Sequence, residues 1–153
     1  YLEFSRYQKN EETQKVSLNE TIKDIVNKYE NKKINFSIVE DVQLNIRSNS
    51  IKRALANLID NGLAYGKKIE ILTKKTIKDI LIFIDDDGPG IPESEYQNVM
   101  KPFYRIDKSR GLNKSGVGLG LSIANDIISA HGGNISLGKS SLNGLRVKIS
   151  LPL

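Results

Sequence analysis

The sequence predicts a two-layer α/β sandwich of the α+β kind: a mixed, mostly antiparallel sheet with helices packed on one face. Three observations carry that prediction. Apolar stripes at helical spacing are interspersed with short, alternating, β-branched runs, which excludes a helix bundle. Several strand-like runs follow one another with no helix between them, which excludes a regular alternation of parallel strands and crossover helices. Apolar residues make up 39% of the 153, with 12 Gly, enough to bury one core and to exclude wholesale disorder.

The elements follow in order. Tyr1-Leu-Glu-Phe-Ser-Arg-Tyr7 carries apolar residues at 1, 2, 4 and 7 and reads as the last turns of a helix, as if the chain were cut from something longer. The polar stretch Asn10–Lys15 reads as a linker, so residues 1–15 are expected as an appendage and 16–153 as the main domain. Ser17 with Glu20 three residues on forms a capping box for a helix whose buried face is Leu18, Ile22, Ile25, Val26 and Tyr29. Ile34–Val39 and Val42–Arg47 alternate as short strands. A second helix runs from Ser48 or Ser50 to about Leu63, with Ile51, Leu55, Leu58 and Ile59 as its stripe. Lys68–Lys75 and Ile77–Ile84 read as a hairpin turning near Lys75-Thr76, and the pattern breaks at Asp85-Asp86-Asp87-Gly88-Pro89-Gly90.

Pro92 opens a short helix over Glu93–Met100. Residues 101–117 have no period and are rich in Lys and Arg, which marks a basic loop and a candidate lid. A third helix begins near Gly118, buries Leu119, Ile123, Ile127 and Ile128, and is stopped by Gly132-Gly133. Asn134–Leu137 and Leu145–Leu151 close the sheet around an Asn143-Gly144 turn.

Composition removes several chemistries. There is no Cys, hence no disulfide scaffold, thiolate zinc site or thiol nucleophile. A lone His, at 131, excludes catalysis by paired imidazoles. No apolar run reaches the length of a membrane span. The net charge of +5 fits an anionic ligand, but aromatics are 7% and no nucleic-acid motif is present, so nucleic acid is not expected as a partner.

Three places concentrate functional groups. Asn57 and Asn61 lie one helical turn apart and offer two amide oxygens to a hard cation or a phosphate-bound water; surface Asn near a helix end is the ordinary explanation. Asp86-Asp87-Gly88-Pro89-Gly90 combines a carboxylate able to accept from an exocyclic amine with glycines that allow close approach; a strand-ending turn or an acidic metal site are the alternatives. Gly116-Val-Gly118-Leu-Gly120 at a helix start presents amides and a helix dipole to an anion, although a flexible loop would also use glycine. Together they supply a carboxylate for a base, amides for Mg²⁺ and donors for phosphates, which are the requirements of a Mg–ATP pocket.

With these residues in place, the chain closely resembles the catalytic, ATP-binding domain of bacterial sensor histidine kinases, which have the Bergerat fold shared with gyrase, MutL and Hsp90. The N-box is Asn57-Leu-Ile-Asp-Asn61-Gly-Leu-Ala-Tyr65, and the first glycine box is Asp86-Asp87-Gly88-Pro89-Gly90-Ile91. Lys101-Pro-Phe103-Tyr-Arg105 is the phenylalanine box, and Gly116–Leu121 is the second glycine box. Ser50-Ile-Lys-Arg-Ala54 before the N-box is similar to osmosensor-like members.

The resemblance implies ATP and Mg²⁺ as the bound groups. It puts Asp86 on the adenine amine, Asn61 on Mg²⁺ and Asn57 beside the phosphates. Tyr65, Gly88 and Gly90 line the nucleotide, Gly116, Gly118, Leu119 and Gly120 the triphosphate, and Arg105 reaches the γ-phosphate, with Phe103 positioning the lid. Related ATPases usually carry a general-base Glu where Asn57 stands; an amide takes no proton from water, which favours a protein acceptor.

The implied parent is a two-component kinase of the inner membrane with this domain in the cytoplasm. It would be a homodimer whose dimerisation domain supplies the acceptor His and whose partner is a response regulator; Tyr1–Arg6 resembles the end of a dimerisation helix. No acceptor motif surrounds His131, which is expected to serve a helix end instead. Ala64 replaces the usual N-box Lys and Gly62 the usual Ala. Those departures keep two rivals open: a degenerate nucleotide-binding module, and a serine kinase of the same fold class.

Overall fold

A computed structural model describes residues 11–30, 33–37, 41–104 and 120–153. Tyr1–Arg6, predicted as helical, lies outside them. The elements are β1 (Gln14–Ser17), α1 (Leu18–Val26), β2 (Lys33–Ser37), β3 (Gln43–Ile46), α2 (Ser48–Tyr65), β4 (Lys68–Lys75), β5 (Asp79–Asp86), α3 (Gly120–Ala130), β6 (Asn134–Lys139) and β7 (Leu145–Pro152). Five strands form one sheet in the order β2-β4-β5-β7-β6. Only β2 and β4 pair in parallel; the other neighbours are antiparallel. The helices cover one face, so the predicted two-layer architecture is the one observed.

Alternation along β5 explains the layering. Ile80, Ile82 and Ile84 face the helices and are 1%, 0% and 2% exposed, while Leu81 and Phe83 point to the other, half-open face. Ile69 and Ile71 on β4 and Val147, Ile149 and Leu151 on β7 extend the same apolar face. Against it pack Ile51, Ala54, Leu55, Leu58 and Ile59 of α2 and Ile123, Ala124, Ile127 and Ile128 of α3. Each large aliphatic side chain buried there contributes roughly 1.5–3 kcal/mol. α1 is capped as predicted: Ser17 Oγ accepts from the Glu20 N–H at 3.2 Å, and the same hydroxyl donates to Asp41.

Several boundaries differ from expectation. Gln14 and Lys15, expected in a linker, belong to β1, which pairs with β3 as a separate two-stranded ribbon. A strand with one apolar residue gives almost no periodic signal. β5 begins two residues later than predicted because Thr76 and Asp79 exchange three hydrogen bonds across the turn and leave Ile77 97% exposed at its tip. It ends later too, since Asp85 and Asp86 both belong to the ladder. Glu93–Met100 forms two short 3₁₀ turns, Glu93–Glu95 and Asn98–Met100, instead of one helix. α3 is helical from Gly120, the first described residue of that segment; the predicted start near Gly118 lies outside the described residues.

α3 stops as the sequence requires, with Gly132 at φ +79°. His131 then ties two helix ends together. Its Nδ1–H donates to the Ile127 carbonyl at 2.8 Å, and Nε2 accepts the Arg47 N–H at 3.0 Å just ahead of α2. The bond accepted by Nε2 requires the neutral ring, and burial holds its pKa below the ordinary 6.5 against the opposing pull of the Ile127 carbonyl. The unfolded chain therefore binds the proton more readily, and folding stability contributed by His131 falls as pH drops through about 6.5. Urea midpoints compared between about pH 7.5 and pH 5.5 should fall less for His131→Gln than for the parent chain.

Candidate functional site

The site is built at one end of β5, where the strand leaves the sheet between the C-terminus of α2 and the β6–β7 turn. Three consecutive aspartates stand there, each with a different task. Asp85 points to the half-open face and takes a two-pronged ion pair from Arg146, at 2.8 and 2.9 Å, with the guanidinium stacked 4.8 Å from the Phe83 ring centre. Asp87 is exposed and accepts from the Lys67 and Lys68 N–H groups at 2.7 and 3.0 Å, fixing the passage from α2 to β4. Those two bonds hold its pKa below the ordinary carboxylate value.

Asp86 faces the helices and is 7% exposed. Its Oδ1 accepts from Gly88 N–H at 2.9 Å and Leu145 N–H at 3.1 Å. Among the described residues no donor reaches Oδ2. Burial pushes its pKa above the ordinary value, a trend the two backbone donors oppose and the neighbouring Asp87 and Asp85 charges reinforce. A half-satisfied carboxylate in a desolvated place is a strong acceptor awaiting a donor.

Glycines make the room. A Cβ on Gly144 would lie 2.2 Å from Asp86 Oδ1 and 2.4 Å from the Asp86 carbonyl oxygen; one on Gly88 would lie 3.0 Å from the Tyr65 carbonyl oxygen. Gly90 has φ +70° and lies against Gly144. Asn143, with φ +75°, turns the chain just before Gly144.

α2 supplies the opposite wall. Asn57 and Asn61 are half-buried on it and Tyr65, its last residue, is 41% exposed. Gly62 faces Asp86, its hypothetical Cβ 3.5 Å from Oδ2. α3 starts against this wall: a Cβ on Gly120 would lie 3.9 Å from the Asn57 carbonyl oxygen. Chain segments far apart in sequence thus converge here: the N-box helix, the first glycine box and the end of the second.

The sequence profile of the histidine kinase-, DNA gyrase B- and HSP90-like ATPases matches residues 46–153. The chain belongs to that family. It is 39% identical over 103 residues to sensor histidine kinase GtrS of Pseudomonas aeruginosa, covering 67% of this chain and 21% of that protein. It is 40% identical over 106 residues to sensor histidine kinase CpxA of Escherichia coli K12, covering 69% and 23%. The catalytic domain of histidine kinase ThkA superposes with a TM-score of 0.78 at 28% identity, over 92% of this chain and 95% of that one. The chain therefore spans under a quarter of the curated relatives cited and nearly all of the solved catalytic domain. Its sequence and fold are those of the catalytic ATP-binding domain of sensor histidine kinases.

The family's pattern falls on the geometry as follows. Asn57, Asn61, Tyr65, Asp86, Gly88, Gly90 and Gly120 are gathered at this end of the sheet. Arg105, Gly116, Gly118 and Leu119, and the candidate lid beyond Tyr104, lie outside the described residues. Phe103 is 67% exposed with φ +65°, a backbone setting uncommon for an aromatic residue. Tyr104 beside it donates to the Glu95 carboxylate, fastening the end of the phenylalanine box to the first 3₁₀ turn.

Two family departures acquire context. Gly62 is matched by Ile69, whose Cδ1 would lie 2.5 Å from an added Cβ. Beyond Ala64, where the family carries a cation, Lys67 is exposed and Lys68 pairs with Glu70 at 3.6 Å.

Sequence reasoning missed Gly144 and Leu145 as partners of Asp86; Asn143-Gly144 was legible only as a turn. Gly144→Ala should destabilise the domain by about 1–3 kcal/mol through overpacking and displace Asp86. Urea unfolding measures the first effect. The second shows as a shifted Gly88 amide resonance, absent if the turn relaxes away from β5.

Proposed function

We propose that this domain binds Mg–ATP between α2, the Asp86 loop and the start of α3, and transfers the γ-phosphoryl to a histidine on a dimerisation domain of a longer parent protein. The observation that carries this reading is the buried Asp86 carboxylate, held by two backbone N–H groups with Oδ2 left for an outside donor. The exocyclic amine of adenine is such a donor, and the glycines beside Asp86 let a flat base approach.

The residues also fit the cation. Among the described residues no cluster of three His, Cys, Asp or Glu could hold a metal by itself. Mg²⁺ is suited to such a place because it takes most of its ligands from phosphates and water and needs one or two protein oxygens, here Asn61. When bound, it neutralises charge on the transferring phosphoryl group and its bridging oxygen. Asn57 orients polar groups beside the phosphates and offers no base for water. The acceptor nitrogen forms the new P–N bond as the bridging P–O bond breaks and ADP leaves. Arg105 and the glycines at 116 and 118, with Leu119, complete the phosphate side in this reading. The parent is a homodimeric inner-membrane sensor that passes the phosphoryl group to a response regulator, with this domain on the cytoplasmic side. No described helix is long and apolar enough to cross a membrane.

A second reading, nucleotide binding without transfer, is favoured by one observation: Ala64 stands where the family carries a phosphate-contacting cation. Supplying a histidine-bearing dimerisation domain separates the two, since only the first reading gives a phosphorylated histidine.

Isothermal titration with a non-hydrolysable ATP analogue, with and without Mg²⁺ and against GTP, tests binding itself. Saturable, adenine-selective, Mg²⁺-strengthened binding is expected. Asp86→Asn should weaken it by ~1.5–3 kcal/mol, roughly 10–150-fold; unchanged affinity would remove Asp86 from the adenine site. Asn61→Ala should abolish most of the Mg²⁺ enhancement, and an enhancement that survives intact would refute its role as a ligand.

A further inference from the structure

Helix α2 starts without a capping side chain of its own: Arg47 stands at the N-cap and makes no side-chain bond there. Its first-turn donors are met from far away in sequence. Glu11 Oε2 accepts the Asn49 N–H at 2.8 Å, and Oε1 accepts the Ser50 N–H at 3.0 Å and the Ser50 hydroxyl at 2.9 Å. Ser50 is buried and Glu11 half-buried. A carboxylate at this place satisfies two orphan donors and complements the positive end of the helix dipole.

The ribbon explains how Glu11 arrives there. β1 and β3 run antiparallel with Ser17 opposite Gln43 and Gln14 opposite Ile46. Continued three residues outward, the same register faces Glu11 with Asn49, the residue whose N–H it accepts. β3 leads directly into α2 through Arg47, so ribbon, cap and helix start form one closed circuit. Asn57 and Asn61 follow Ser50 by roughly two and three turns on the same rigid helix.

We propose that Glu11 is a positioning residue for the nucleotide site: its carboxylate caps the first turn of α2, delivered by the segment that leads into the domain, and it fixes the setting of the helix that carries Asn57 and Asn61. This rests on the reading of those two residues as nucleotide-side groups. A displacement of the entering segment would withdraw the cap and loosen the first turn, so the state of that segment reaches the nucleotide wall through one carboxylate.

The test uses this chain with Glu11→Ala, Glu11→Gln and Ser50→Ala. Amide exchange at Asn49 and Ser50 is followed without nucleotide, and titration with a Mg²⁺-loaded ATP analogue is run well below the unfolding temperature of every variant. Glu11→Ala should speed exchange at both amides by about fivefold and raise the analogue's Kd by roughly three- to tenfold. Glu11→Gln, which keeps one acceptor oxygen, should fall between, and Ser50→Ala should show the smallest change. Unchanged exchange in Glu11→Ala would overturn the cap. Faster exchange with unchanged Kd would overturn the positioning role and leave a merely stabilising one, with the nucleotide reading intact. Failure of the parent chain to bind would overturn that reading and the positioning role together, while exchange would still decide the cap.

Discussion

Everything at the working end of this domain is arranged around one buried carboxylate. Asp86 is turned toward the helices by the alternation of β5, and its neighbours on that face are isoleucines. Keeping a charge there requires donors, and the backbone provides two, one from its own turn and one from β7. It also requires space, and that demand falls on Gly62, Gly88 and Gly144, which come from three different parts of the chain. The glycine box is therefore less a flexible loop than a set of clearances cut to fit Asp86. Desolvation raises the free energy of the carboxylate, and an incoming N–H relieves it; the same burial that strains the site gives it affinity and selectivity for a donor.

Around that point the helices act as fixed walls. α2 is anchored by its apolar stripe along its length, by Glu11 and His131 near its start, and at its end by the Gly66 N–H to the Gly62 carbonyl. The Asp87 bonds to Lys67 and Lys68 then set where the chain leaves for β4. α3 begins against the Asn57 backbone. In the proposed reading the labour divides accordingly: one rigid helix presents amides and a strand end presents the base-reading carboxylate.

The layering, the order of elements and the N-box and first glycine box were legible in the sequence because each rests on a local signal. Isoleucines alternating along β5 and repeating every three or four residues along α2 and α3 announce one-sided burial. What escaped was non-local. β1 has a single apolar residue and is held by β3, almost thirty residues away. The extension of β5 over Asp85 and Asp86 was hidden because aspartates argue against a strand unless partners neutralise them, and Arg146 and Leu145 lie some sixty residues on. Ile77 misled in the other direction: an apolar side chain suggested a strand start where a threonine-stitched turn holds it in water. The joint role of Glu11 and His131 at the start of α2 left no trace in periodicity.

The run Asp85-Asp86-Asp87 looks interchangeable and is not. Asp85 is matched to Arg146 directly across the β5–β7 ladder, and the pairing fixes which aspartate faces the helices. Slipping the ladder by one residue would turn every side chain of β5 to the opposite face. It would carry Asp85, itself 5% exposed, away from its guanidinium and turn Asp86 from the helices to the opposite face. The ion pair on the open side of the sheet thus works as a register key. It lets a repetitive acidic stretch fold in one alignment, and so protects the nucleotide site from a misfolded twin that composition alone would not distinguish.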